Sequence, residues 1–169
     1  MTSRVLVALA SESDPSPDPP WPFHDLFVPS NPMQFVVVFA AFWALMSYVI
    51  AMIGGWTRLA EDYRANNAFE GKRWRFQSAS MRLGTSYGNV LTVGAGPEGL
   101  SLEVFLLFRF GHPPLLIPWS DIQKLGEPSW FRGQVLVFSK APDIKVRLSK
   151  SVVTRIESVR GSALPTAPG

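Results

Sequence analysis

The sequence predicts one transmembrane α-helix followed by a small mainly-β domain of about six antiparallel strands with a C-terminal capping helix. Three observations carry this reading. An uncharged apolar run fills Phe35–Ile53, the hydrophobic pattern changes to period two from Trp74, and the last apolar residues return at helical spacing.

At 169 residues the chain has room for one modest domain plus appendages. Hydrophobic residues make up 47% and charged residues 17%, the latter below the roughly 25% of an average soluble domain. Cysteine is absent, which excludes disulfides, thiolate metal ligands and a cysteine nucleophile. The net charge of +3 conceals an asymmetry. Residues 1–34 hold Arg4 against Glu12, Asp14, Asp18 and Asp25, whereas residues 58–169 hold the other 15 Lys and Arg against 9 acids.

The apolar run FVVVFAAFWALMSYVIAMI contains one clearly polar residue, Ser47. As a helix it spans roughly 28 Å, close to the ~30 Å of bilayer hydrocarbon. Ser30 or Asn31 is placed to cap it, and Pro32 suits its first turn. The transmembrane segment is therefore drawn at 34–57, with Trp56 at headgroup level and Arg58 just beyond. A buried helix of a soluble protein would carry a polar face, and none is present. A cleaved signal peptide is not expected, because no small-x-small site followed by a polar stretch appears after the run.

Orientation follows from the flanks. Close to the span the N-terminal side has no Lys or Arg, while the C-terminal side has Arg58, Arg64, Lys72, Arg73 and Arg75. Positive residues stay in the cytoplasm, so the N-terminus is expected outside a cell inner (plasma) membrane and the C-terminal domain inside. Within the span Ala40, Ala44, Ser47, Ala51 and Gly54 form one small-residue stripe. Such a stripe lets another helix, or a second copy, approach closely. Ala and Gly are also common in membrane helices with no such role.

Residues 1–33 carry 7 of the 15 prolines and no periodicity, and are expected to be a disordered acidic tail. Trp21, Phe23, Phe27 and Val28 in this tail are candidates for the outer interface. Residues 58–71 read as a short helical stalk, with Arg58–Asp62 and Glu61–Arg64 as stabilising pairs. The β domain is drawn at 72–160 and a second disordered tail at 161–169.

Within the domain, GLSLEVFLLFRF alternates: Leu100, Leu102, Val104, Leu106, Phe108 and Phe110 share one face. Further strands are expected at 74–83, 89–93, 115–119, 134–140 and 144–148, separated by Gly-, Pro- and Asp-containing turns. The segment SKSVVTRIESVR sets Val152, Val153, Ile156 and Val159 on one helical face. Such a set of elements folds as a barrel or sandwich, with the helix plugging its open end or covering an edge.

Leu91-Thr92-Val93, Gly99-Leu100-Ser101-Leu102 and Ile117-Pro118-Trp119-Ser120-Asp121-Ile122 resemble the strand signatures of bacterial pleckstrin-homology-like domains. The resemblance covers about residues 74–160 and implies a small curved barrel capped by a C-terminal helix. Lipid-binding members of the wider group cluster basic residues at the first hairpin. Here that loop is Gly84–Gly88 with Arg82 alone nearby, and the closing helix has no Trp, so no inositol-phosphate site is implied. The whole arrangement is similar to bacterial single-pass membrane proteins, which brings no activity with it.

Residues 94–99 match GxGxxG, but the period-two pattern that follows leaves no helix to face a pyrophosphate, so the motif reads as a hairpin turn. His24 lies in the tail and His112 in a Gly-His-Pro-Pro turn, with no second ligand at metal spacing. Glu103 and Asp121 have no visible carboxylate partner. No enzyme, metal or cofactor is expected. Lys72-Arg73-Trp74-Arg75-Phe76 mixes basic and aromatic residues, and its nearness to the span favours anionic headgroups over nucleic acid. It reads equally as a strand start with solvated arginines.

The expectation is thus a membrane-anchored, non-enzymatic binding or scaffolding module. Its partners are the lipid bilayer and an unknown cytoplasmic protein or anionic lipid. The alternative is an accessory subunit of a larger membrane complex, joined through the small-residue stripe.

Overall fold

A computed structural model describes residues 31–125 and 133–166. The outer-interface candidates Trp21, Phe23, Phe27 and Val28, His24, the turn at 126–132 and the last three residues lie outside the described residues. The chain divides after Ala40 into two compact units.

Helix α1 is Pro32–Gly54. In the first unit, the Gln34 amide donates to Asn31 Oδ1 at 2.7 Å, which satisfies one of the free donors of the opening turn. Phe35 and Phe39 stack with centroids 6.1 Å apart. The helix is long and apolar enough to cross a membrane, and only 11% of its most apolar window is buried. A core helix of a soluble protein would be mostly covered.

In the second unit, Gly55 sits at φ 84 and turns the chain into helix α2, Trp56–Tyr63. Seven strands follow: β1 Lys72–Ser80, β2 Ser86–Ala95, β3 Gly99–Val104, β4 Leu115–Pro118, β5 Ile122–Leu125, β6 Gly133–Phe138 and β7 Ala141–Ser149. Helix α3, Lys150–Arg160, closes the domain, with Ser149 Oγ accepting from the Val152 amide. The seven strands pair antiparallel throughout, in the order β4-β3-β2-β1-β7-β6-β5.

This corrects the expected six-stranded barrel. The seventh strand is β5, whose four residues are too few to show alternation. The ring stays open because β4 and β5, successive in sequence, lie at opposite ends of the sheet. Each edge is instead met at one point by a chain segment. The Ala65 amide donates to Pro114 O beside β4, and the Lys124 amide donates to Pro165 O beside β5.

The core is built from both halves of the sheet: Leu91, Val93, Leu100 and Ile117 on one side, Leu136, Phe138, Ile144 and Val146 on the other. Val152, Val153 and Ile156 of α3 and Trp56, Leu59 and Tyr63 of α2 fill the space between helix and sheet. Within residues 58–71, expected as a helical stalk, the helix ends at Tyr63 and its side chains reach the domain. Trp56 Nε1 donates to Pro113 O at 2.9 Å, Tyr63 Oη accepts from the Lys140 amide at 3.0 Å, and Arg58 Nη2 donates to Lys140 O at 3.2 Å. Arg58 also pairs with both Glu61 and Asp62, so Glu61 meets Arg58 rather than Arg64.

Residues 94–99 form the β2–β3 hairpin, with the Gly96 amide donating to Gly99 O. The glycines answer to packing. A Cβ on Gly96 would collide with Glu70 O, and one on Gly99 with Ile117 O.

Candidate functional site

The small-residue stripe divides. Ala40 is exposed and Ala44 half-buried, but Ser47, Ala51 and Gly54 are buried. A Cβ on Gly54 would lie 2.8 Å from Tyr87 Oη, and one on Gly111 3.1 Å from Ala51 Cβ. The chain's own domain therefore occupies the C-terminal part of the face that the sequence offered to another helix.

Trp56, expected at headgroup level, is wholly buried. Its ring centroid lies 5.6 Å from that of Tyr87 and 5.3 Å from that of His112. His112 Nδ1 faces Phe110 O at 3.1 Å, and its Nε2 faces Tyr87 Oη at 3.0 Å. This places the proton on Nδ1, with Nε2 accepting from the tyrosine. Burial pushes the Tyr87 phenol up to about 12 and lowers the His112 pKa from its ordinary value. Both groups are held neutral, and each polar atom is used within the cluster. The arrangement is a structural clamp.

Around this clamp, residues 105–111 leave the sheet. The expected strand 99–110 ends at Val104 because the last main-chain bond to β2 is the Phe105 amide donating to Val90 O. A 3-10 turn at Leu106–Phe108 follows. The period-two alternation is lost there: Leu106 is 71% exposed and Phe110 62%, while Val104 is buried. Trp43 Nε1 donates to Leu107 O, and Ser47 Oγ lies 2.9 Å from both Phe108 O and Phe110 O. Trp43 and Phe108 rings are 5.1 Å apart.

Of the basic residues singled out, Arg73 and Arg75 meet in one place. They line a pocket of about 270 Å³ with Phe76, Glu103, Phe105, Leu106 and Arg109. Glu103 lies 3.7 Å from Arg73 and 3.5 Å from Arg109. One carboxylate among three guanidinium groups leaves the pocket positive. Phe76 reaches it through an irregularity in β1 between Trp74 and Gln77, where its φ is 56. Lys72 falls elsewhere, in a groove with Gly96, Trp119 and Arg160. Arg58, committed to Glu61, Asp62 and Lys140, is not part of the pocket.

Sequence reasoning missed Arg109, Phe105 and the Tyr87–His112 pair. A signal for the first two was present: FLLFRF concentrates five apolar residues around one arginine, and the period-two reading absorbed it. No local signal marks Tyr87–His112, whose partners are 25 residues apart. Among the described residues, no three His, Asp or Glu side chains gather into a cation-binding group. No protein-family model, no curated protein and no solved structure matches the chain.

Proposed function

We propose that the chain is a membrane-anchored, non-enzymatic binding or scaffolding module, with α1 crossing the inner membrane and the sheet domain on its cytoplasmic face. The single observation that supports it most is the division of α1. Ser47, Ala51 and Gly54 belong to the domain core, while Phe42, Leu45, Tyr48, Ile50, Met52 and Ile53 of the same helix are left exposed. That second face needs lipid as its solvent. The N-outside orientation rests on the Lys and Arg excess after the span. The pleckstrin-homology-like assignment belongs to this proposal, supported by a four-stranded and a three-stranded meander followed by a helix.

A binding role is supported by the positive pocket at Arg73, Arg75 and Arg109, which offers forked donors to phosphate or carboxylate. The accessory-subunit alternative keeps only Ala40 and Ala44 of its stripe unburied. Mild crosslinking in intact membranes tests the proposal, combined with reporters fused to both ends. Capture of a discrete protein or anionic lipid on the cytoplasmic domain is expected. A C-terminal reporter active only outside, or turnover of a substrate by the purified chain, would contradict it.

A further inference from the structure

The length of α1 has a consequence for residues 105–110. Their carbonyls are met by Trp43 and Ser47, which lie roughly 10–16 Å from Gly54 along a helix rising 1.5 Å per residue. Keeping this loop in water would put the membrane boundary on the N-terminal side of Trp43. Only Pro32–Phe42 would then remain, roughly 16 Å of helix against ~30 Å of hydrocarbon. A spanning α1 therefore takes the loop into lipid with it.

The side chains and carbonyls of the loop suit that solvent. Phe105, Leu106, Leu107 and Phe110 are all more than half exposed. Non-helical backbone is tolerated at membrane depth only where its polar groups are met internally. Every carbonyl from Phe105 to Phe110 faces a donor. Phe105 O takes the Phe108 amide, Leu106 O the Arg109 amide and Arg109 O the His112 amide. Leu107 O takes Trp43 Nε1, Phe108 O takes Ser47 Oγ, and Phe110 O takes His112 Nδ1. Arg109, the loop's one charge, extends to the pocket shared with Arg73 and Arg75. A long side chain can bury its stem in lipid and keep its head at the phosphates.

We propose that Phe105–Phe110 is a second membrane-embedded segment, entering the cytoplasmic leaflet beside α1, with Arg73, Arg75 and Arg109 at phosphate level. This rests on the membrane reading above, and the two can fail separately. The chain has no cysteine, so single substitutions carry a polarity-sensitive fluorophore cleanly. Full-length protein would be placed in vesicles of phosphatidylcholine and phosphatidylglycerol, labelled at Leu106→Cys, Leu107→Cys, Leu45→Cys or Ser158→Cys. The labels at 106 and 107 are expected to be quenched by spin-labelled lipid and to lose quenching by aqueous iodide, matching 45 and opposite to 158. If both behave like 158 while 45 stays shielded, the insertion is overturned and the span stands. If 45 is also open to iodide, the span fails and the insertion with it. Shielding at 106 that appears only when membrane protein extract is added would assign the patch to a protein partner, again overturning insertion.

Discussion

Trp56 shows how one residue decides where a domain begins. Its ring is wholly buried against Tyr87 and His112, and its indole N–H is spent on Pro113 O. Trp56→Ala would open a cavity and orphan that carbonyl, at a cost of about 3–5 kcal/mol. Chemical denaturation of the detergent-solubilised chain checks it, and an unchanged midpoint would remove Trp56 from the core. His112 adds a pH dependence. Its folded pKa is below the ordinary 6.5, so stability is full above that value. As pH falls, the unfolded chain takes up the proton first, and stability declines through the lowered folded value. His112→Gln is expected to flatten this acid slope, read as denaturation midpoints across the series. Trp followed by Arg at the end of an apolar run is the ordinary signature of a membrane interface. Sequence placed Trp56 there because its real partners lie up to 57 residues away.

At the scale of elements, the boundary drawn before Lys72 cuts through the core. Leu59 and Tyr63 of α2 are buried against the domain, and Ala65 bonds to the edge of β4. A fragment of residues 72–160 would expose the surfaces that α2 and the 164–166 segment cover. It is expected to lose fixed near-ultraviolet circular dichroism, whereas residues 41–166, which keep Ser47, Ala51 and Gly54, retain it in detergent; equal signals would contradict this. Strands with many partners were legible: Leu100 and Leu102 alternate with Ser101 and Glu103 because β3 pairs on both sides. Leu106 and Phe110 continue the same alternation in sequence, yet no partner strand continues beside them. Periodicity reports a suitable strand and not the neighbour it needs. Helix α3 was legible through its Val152, Val153 and Ile156 face, a local feature. Glu157 shows what was not. Burial raises its pKa, but bonds from Lys124 and the Leu164 amide outweigh this and hold it below the ordinary value. Those bonds tie β5, α3 and the C-terminal segment together from distant positions.

For the whole molecule, the decisive property is that one helix carries both a buried stripe and an open apolar face. Its apolar run was plain in the sequence. Its division into a buried stripe and an open face was not, because Ser47, Ala51 and Gly54 fit a helix–helix stripe as well as they fit the underside of a domain. The arginine pocket was half legible. Arg73 and Arg75 are neighbours in sequence, while Arg109 joins them only once β3 has folded beside β2. The central claim, that lipid covers the open face of α1, is tested most directly by vesicle flotation after an alkaline carbonate wash, using full-length chain synthesised without detergent. The account predicts that the chain rises with the vesicles and resists the wash. A chain that stays in the dense fraction as a dissolved monomer would contradict it.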